Sequence, residues 1–217
     1  STTGSAPKHF YATAGNYTVS LAVENSNGCK ASTSQSLNVF AKPNAAFTNQ
    51  NNCFNEFSAF NNFTTNVTRY AWDFGDATGT STAENPSYLY GTSGTYSVRL
   101  IATSSKGCKD TATQSIVIYV KPTAAFAASN VCIGNGMSFT NNSTSATKHN
   151  LQSGNGLSST TQSPTYNYPS AGDYDVQLIA STKNNCADTA IAPVRVYRLP
   201  EVDFEISNAC FGDSVIF

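Results

Sequence analysis

Charged side chains are scarce in this chain. Lys, Arg, Asp and Glu together make up 12% of its 217 residues, and the formal net charge is −1. No basic stripe is present, which removes the electrostatic case for nucleic acid or an anionic membrane surface as a partner. Histidine is nearly missing as well, with only His9 and His149. No Cys-x-x-Cys occurs, so a zinc site lacks its usual ligand spacing. The chain has no apolar run long enough to span a bilayer and no signal-peptide pattern. Nor does it contain a helix-period segment of useful length. Its surface must instead be covered by Ser, Thr and Asn, a weakly charged, hydroxyl-rich composition common on secreted proteins.

What is present is a repeat. Cys29, Cys108 and Cys186 stand 79 and then 78 residues apart, and Cys53, Cys132 and Cys210 follow the same two spacings. The neighbouring residues recur as Asn27-Gly28-Cys29-Lys30, Lys106-Gly107-Cys108-Lys109-Asp110 and Asn184-Asn185-Cys186-Ala187-Asp188. A fixed period of this length signals an array of like domains. A unit near 79 residues is small for an independent core and invites covalent support. Six cysteines in register are therefore read as disulfides formed in an oxidising compartment.

Strand patterning is explicit. Tyr96, Val98, Leu100 and Ala102 alternate with Ser97, Arg99 and Thr103, and the pattern recurs at Tyr17-Val19-Leu21-Val23 and Tyr174-Val176-Leu178-Ala180. A glycine opens each one: Gly15, Gly94 and Gly172. A further strand follows each cysteine turn, over Gln114–Val120 and Pro193–Tyr197. Turns at this spacing predict an all-β sandwich. Aligning the units matches Pro43, Pro122 and Pro200, then Phe47, Phe126 and Phe204, then Phe60, Phe139 and Phe217. Each proline directly follows a last strand, so the linkers are a few residues long and stiffened. The expected organisation is the rear of one domain at 1–41, complete domains at 42–120 and 121–198, and the front of another at 199–217. On this reading the segment is a window on a longer, elongated array.

The string Tyr70-Ala71-Trp72-Asp73-Phe74-Gly75-Asp76, followed by Asn85-Pro86, Tyr90 and Gly94-Thr95-Tyr96-Ser97-Val98, closely resembles the PKD (polycystic kidney disease) domain. That resemblance implies tandem immunoglobulin-like β-sandwiches. The version with a paired Asn-Gly-Cys turn and an early cysteine is similar to the tandem arrays on giant surface proteins of Bacteroidota. These include the SprB-type gliding adhesins exported by type IX secretion. The third unit departs from the motif: Leu151 stands where Trp72 does, and Gln152, Ser153 and Asn155 replace Asp73, Phe74 and Asp76, while Gly75 is kept as Gly154. Catalytic residues could not be exchanged in this way and still act in every unit.

Trp72, Asp73, Gly75 and Asp76 are accordingly read as architectural, a buried side chain running into a tight turn. Asp73 and Asp76 have the chemistry of a Ca²⁺ site. Amides at the equivalent places favour carboxylates that bond turn amides instead, so no metal is expected. His9 and His149 occupy different places in their units, which argues against a nucleophile–His pair. Tyr11, Tyr90 and Tyr168 could stack on sugars but recur at equivalent places, which favours packing. Asp110-Thr111-Ala112, Asp188-Thr189-Ala190 and Asp213-Ser214-Val215 match the O-glycosylation acceptor of Bacteroidota. The resemblance to that phylum thus implies glycans on Thr111, Thr189 and Ser214, on an exposed rim after the cysteine turn.

Topology directs the cysteine pairing. If the first strand runs from the predecessor end of a domain to its successor end, Cys53 and Cys132 sit at the successor end. The last strand must run the same way, so Cys108 and Cys186 sit at the predecessor end. One strand of about ten residues, roughly 33 Å, then separates the two cysteines of a domain, against a Cα separation of about 7 Å at most in a disulfide. The expected bridge is Cys53–Cys186, between domains. Cys132 and Cys210 would pair with cysteines beyond residue 217, and Cys29 and Cys108 with cysteines before residue 1.

The expected function is that of a structural repeat segment in an extracellular bacterial surface filament or adhesin, including one for gliding motility. It would supply reach and stiffness, with no catalytic residue and no cofactor. Its partners would be neighbouring repeats of the same chain, and a surface polysaccharide or other adhesion ligand reached through regions outside this segment. The alternative is a PKD spacer or binding module of a secreted polysaccharide- or protein-degrading enzyme.

Overall fold

The computed structural model describes residues 7–206, 208, 210–212 and 214. Phe217, together with Asp213 and Val215 on either side of Ser214, lies outside the described residues, as do residues 1–6 at the start of the 1–41 segment. Every regular element among the described residues is a strand, and the chain divides into two compact units, Ser1–Tyr119 and Val120–Phe217.

Unit 1 opens with a hairpin of β1 (Gly15–Glu24) and β2 (Lys30–Val39), paired along their whole length. Eight further strands follow: β3 (Phe47–Asn49), β4 (Asn52–Cys53), β5 (Ser58–Asn62), β6 (Arg69–Asp73), β7 (Thr80–Ser81), β8 (Ser87–Tyr88), β9 (Gly94–Thr103) and β10 (Lys109–Tyr119). They form a five-stranded sheet in the order β4-β10-β9-β6-β7 and a three-stranded sheet in the order β3-β5-β8. This is an all-β, immunoglobulin-like sandwich.

Alternation of side chains makes the two sheets face each other. Val98 and Leu100 of β9, Ile116 and Ile118 of β10 and Trp72 of β6 point inward, and Phe47 and Phe60 meet them from the smaller sheet. Trp72 is 2% exposed. Its ring centroid lies 5.0 Å from that of Phe47 and 5.8 Å from that of Phe60, and its Nε1–H donates to the Ala83 carbonyl at 2.9 Å. The indole thus fills the space between the sheets without leaving its one polar atom unpaired.

Unit 2 repeats the plan with β11 (Phe126–Ala128), β12 (Val131–Cys132), β13 (Met137–Asn141), β14 (Lys148–Gln152), β15 (Ser158–Ser159), β16 (Thr165–Tyr166), β17 (Gly172–Ser181) and β18 (Ala187–Tyr197). The sheet orders are β12-β18-β17-β14-β15 and β11-β13-β16, matching unit 1 strand for strand. Leu151 takes the place of the tryptophan and is buried with Met137, Phe139, Val176 and Leu178.

The last strands are longer than the alternation of apolar residues indicates. They begin at Lys109 and Ala187, directly after the cysteines, and pair with β9 and β17 from their first residue. The stretch 109–113 is not marked as strand by apolar alternation, since only Ala112 in it packs against the core, yet its backbone completes the ladder. Proline is tolerated within β18 for a related reason. Arg195 N–H donates to the Asn130 side chain, on the side of β18 where β12 pairs only Val196 and Tyr197. Pro193 has the same parity, so its missing N–H would have faced that open edge.

The β1–β2 hairpin behaves differently from its counterparts. Val19, Leu21 and Val23 are 48%, 62% and 56% exposed, whereas Val98, Leu100 and Ala102 are wholly buried. Among the described residues no second sheet covers the hairpin.

Trp72→Ala removes the largest side chain of the unit 1 core and should cost roughly 3–5 kcal/mol. Denaturant unfolding of the 217-residue chain, followed through the transition of unit 1, reads this directly. A cost no greater than that of a surface substitution would refute the central place given to the indole.

Candidate functional site

The turn that follows β6 is built from hydrogen bonds to two carboxylates. Asp73 Oδ1 accepts the Gly75 N–H at 3.0 Å, and its other oxygen meets the Arg99 guanidinium at 3.1 Å. Asp76 Oδ1 accepts the N–H groups of Thr78 and Gly79, at 3.2 and 2.7 Å, and Asp76 Oδ2 accepts the Tyr88 hydroxyl. Partial burial pushes the Asp76 carboxyl upward, but the Tyr88 hydroxyl and the two amides outweigh it, and the group sits below its ordinary value. The same bond pushes the Tyr88 phenol upward, with burial adding to it. Gly75 has φ of +80°, and a Cβ there would run into the Ser97 backbone of β9. Glycine is required on both counts.

Unit 2 builds the same turn without carboxylates. Gly154 also has φ of +80° and approaches the Asp175 carbonyl of β17. Asn155 replaces Asp76, and its amide nitrogen donates to the Tyr166 hydroxyl at 2.8 Å. Where Asp76 accepts from a tyrosine, Asn155 donates to one, so the contact survives the loss of charge. A deeper bond is common to both units: the buried Tyr90 hydroxyl donates to the Phe74 carbonyl at 3.0 Å, and Tyr168 to the Ser153 carbonyl at 2.9 Å. Burial pushes the Tyr168 phenol up to about 12 and that of Tyr90 higher still. No group of three or more His, Cys, Asp or Glu side chains placed to hold a metal ion is found among the described residues.

The acidic member of each Asp-Thr-Ala motif has a backbone partner. Asp110 accepts the Ala45 N–H at 2.9 Å and Asp188 the Ala124 N–H at 2.9 Å. That amide holds the Asp188 carboxyl below its ordinary value. Each aspartate ties the start of the last strand to the start of the first. Thr111 and Thr189 are exposed but lie within β10 and β18, opposite Ile101 and Ile179. This corrects the expectation of a rim: the last strands start early, so both threonines stand on the outer face of a sheet. Ser214 is exposed.

Cys53 lies beside Tyr119, in a parallel pairing of β4 with the end of β10, whereas Cys108 precedes the first residue of that strand. In unit 2, Cys132 lies beside Tyr197 and Cys186 precedes Ala187. Cys53 and Cys108, and likewise Cys132 and Cys186, therefore stand at opposite ends of an 11-residue strand. Cys53 and Cys186 are disulfide-bonded, and Cys29, Cys108, Cys132 and Cys210 are free.

Tyr90 and Tyr168 are 2% and 4% exposed, too deep to stack on a sugar from outside. Tyr11 is half-buried against Tyr17 and His9. No hydrogen bond joins His9 or His149 to a hydroxyl or thiol among the described residues, and His149 Nδ1 is buried without a partner. One structural device escaped the sequence reading. Tyr17, Tyr96 and Tyr174 each donate their hydroxyl to the backbone carbonyl four residues upstream, at Thr13, Thr92 and Ser170. This is the tyrosine corner of immunoglobulin-like sandwiches. Its signal is a Ser or Thr four residues before the first Tyr of each strand.

Comparison with known proteins places these features in context. The family model described as the PKD domain matches residues 1–41 and 38–120. Residues of the chain are 51% identical over a stretch of 47 to a microbial collagenase of Vibrio alginolyticus, covering 22% of this chain and 6% of that protein. The PKD1 domain of the Vibrio cholerae metalloprotease PrtV is 32% identical, with 36% of this chain and 99% of that one covered and a TM-score of 0.34. The PKD1 domain of Vibrio anguillarum Epp is 28% identical, with 37% and 96% covered and a TM-score of 0.34.

The Asp76 carboxyl is stabilised in its ionised form by folding. Its contribution is therefore complete above the ordinary aspartate pKa of about 3.9 and is lost as pH falls through the lowered folded value. Asp76→Asn should weaken unit 1 at neutral pH and flatten its loss of stability on acidification. Urea unfolding between about pH 5 and pH 2, where such a carboxylate titrates, checks this. Parallel acid limbs for the variant and the parent would remove Asp76 as the source.

Proposed function

The chain belongs to the PKD domain family, and on that premise we propose that it is a load-bearing segment of an extracellular bacterial surface filament or adhesin, spacing other parts of the protein and doing no chemistry. The observation that carries this reading is the parallel pairing of the first and last strands in both units, β4 with β10 and β12 with β18. Tension that enters through the first strand and leaves through the last acts along the pairing and shears it, so its hydrogen bonds share the load. In this reading 1–41 is the rear of one domain, 42–120 and 121–198 are whole domains in an elongated array, and 199–217 begins another. The exposed apolar face of the β1–β2 hairpin favours that division.

The bridge we propose is Cys53–Cys186. Its support is the disulfide-bonded state of both residues, together with a strand of roughly 36 Å between Cys53 and Cys108 and between Cys132 and Cys186. Cys132 and Cys210 would then pair with later cysteines, and Cys29 and Cys108 with earlier ones. Such cross-links between successive domains would restrain bending and carry tension beside the short linkers. The narrower reading is a gliding adhesin of the SprB type from a Bacteroidota organism, exported by type IX secretion, with O-glycans at Thr111, Thr189 and Ser214. Its partners would be neighbouring repeats and a surface polysaccharide or other ligand bound outside this segment.

A second reading has an observation of its own. The stretch that is 51% identical to a microbial collagenase and the likeness to PKD1 domains of Vibrio proteins favour a spacer or binding module in a secreted degrading enzyme. Antibodies against residues 42–198 separate the two in the source organism. Labelled filaments on intact cells are expected. A soluble antigen that co-purifies with protease or polysaccharide-degrading activity would overturn the filament in favour of the enzyme module.

Non-reducing peptide mapping of the native protein is expected to recover Cys53 linked to Cys186. The same digest should contain glycan mass on the Thr111, Thr189 and Ser214 peptides. A Cys53–Cys108 link would overturn the pairing, and three unmodified peptides would dispose of the glycans.

A further inference from the structure

Cations are few in the sandwich of unit 1, and the fold gathers them. Residues 42–120 hold five: Lys42, Arg69, Arg99, Lys106 and Lys109. Arg99 is paired with Asp73. The other four stand at the end where the chain enters the sandwich, and none has an ion-pair partner among the described residues. Arg69 and Lys109 both lie opposite Thr103, one on each side of β9, so their side chains leave the same face of the sheet. Lys106 is in the turn between β9 and β10, and Lys42 lies just before Asn44, which pairs with Thr65. No run of basic residues along the sequence announces this patch, because four separate parts of the chain supply it.

The acids of the sandwich are engaged elsewhere. Asp110 accepts the Ala45 N–H, Asp76 holds the turn after β6, and Glu56 accepts the Cys53 N–H. Glu84, between β7 and β8, makes no ion pair with the four cations. A cleft of about 520 Å³ opens at the same end, lined by Phe40, Asn66, Thr68, Tyr70, Ser105 and Lys106 among others. Phe40 is 45% exposed and is held against the sandwich: Lys106 Nζ lies 5.5 Å from its ring centroid, and Cys108 Sγ 3.9 Å from its carbonyl oxygen. Tyr70 is half-buried. The side-chain polar groups of Asn66, Ser105 and Tyr70 have no hydrogen-bond partner among the described residues. The cleft thus combines an unpaired ammonium, an amide and two hydroxyls with two aromatic rings. Unit 2 has Lys121, Lys148 and Lys183 near the equivalent places, but Asn184 stands for Lys106, Ala187 for Lys109 and His149 for Tyr70. The full set belongs to unit 1.

We propose that this end of unit 1 is a binding site for an acidic oligosaccharide, one whose sugars carry carboxylates. A carboxylate of the ligand pairs with the Lys106 ammonium, its hydroxyls meet the amide and hydroxyls of Asn66, Ser105 and Tyr70, and the C–H face of a ring covers the exposed carbons of Phe40. Further carboxylates along the ligand lie in the field of Arg69, Lys109 and Lys42, which reaches about 10 Å at moderate salt. A bare inorganic anion would leave the rings and the amide unused, and an uncharged sugar would leave the cations unpaired. The cleft is within the size range of small-ligand sites. The site stands whichever full-length protein carries the segment, and it adds a contact within the segment to any ligand held outside it.

The test is a titration of the isotope-labelled 217-residue chain with trigalacturonate, and with galactotriose as the neutral control. Saturable shifts are expected at Asn66, Tyr70 and Lys106, with a dissociation constant on the order of 1 mM. Raising the salt from about 0.05 M to about 0.5 M shortens the reach of the charges and should weaken binding about threefold or more. Galactotriose, which has no carboxylate, should bind at least about tenfold more weakly. Lys106→Gln exchanges an exposed side chain, so the melting temperature of unit 1 should hold while trigalacturonate binding weakens about fivefold or more. Absence of saturable shifts in the parent chain overturns the proposal without any variant. So do equal binding of galactotriose, or a Lys106→Gln variant that binds trigalacturonate as the parent does. Shifts at the same residues that grow with protein concentration alone would show that a second copy, not a saccharide, covers this end.

Discussion

The architecture of each unit depends on one parallel contact, where the first strand crosses from the small sheet to the large one and ends beside the last. Ile118 and Tyr119 pair with Asn52 and Cys53, and Val196 and Tyr197 with Val131 and Cys132. Hydrogen bonds from Phe54 N–H to the Tyr119 carbonyl and from Ile133 N–H to the Tyr197 carbonyl extend it, each at 2.8 Å. Asn51 and Asn130 continue it by accepting the Val117 and Arg195 amides. Two consequences follow from the direction of this pairing. The first and last strands of each sandwich lie side by side and point the same way. The two cysteines of a domain are driven to opposite ends, which makes a bridge within the domain unreachable.

The turn after β6 or β14 separates what the fold requires from what it tolerates. Gly75 and Gly154 are required, because positive φ combines there with a backbone approach that leaves no room for a Cβ. The buried tyrosine hydroxyls are also kept, since the carbonyls they bond would otherwise be desolvated without a partner. Carboxylates are dispensable: an amide holds the same tyrosine with the hydrogen bond reversed. The indole and phenyl rings are dispensable to the topology, for Leu151 and Ser153 stand in their places, and Met137 is buried opposite Tyr166 where unit 1 has Ser58 opposite Tyr88.

Burial also explains the uneven legibility of the strands. Positions facing the core, such as Val98, Leu100, Val176 and Leu178, announce themselves by alternation because water selects against apolar residues on the other face. Thr111 and Thr113 sit in an equally regular strand but lack that contrast, so the first residues of β10 and β18 read as loop. The tie made by Asp110 and Asp188 was hidden for a related reason. A carboxylate that bonds an amide 64 or 65 residues away leaves no mark in its own neighbourhood.

The sequence by itself determined the repeat, the all-β class, the strand faces, and Trp72 and Gly75 as structural residues. Each of these is written in local periodicity or in the matching of one unit against the next. Only the tertiary structure decided that Tyr17, Tyr96 and Tyr174 tie back to carbonyls four residues upstream, and that Asp76 accepts where Asn155 donates. Those outcomes depend on which groups the two sheets bring within a few ångströms of each other. No pattern along the chain records that, because the distances are set by strands far apart in sequence.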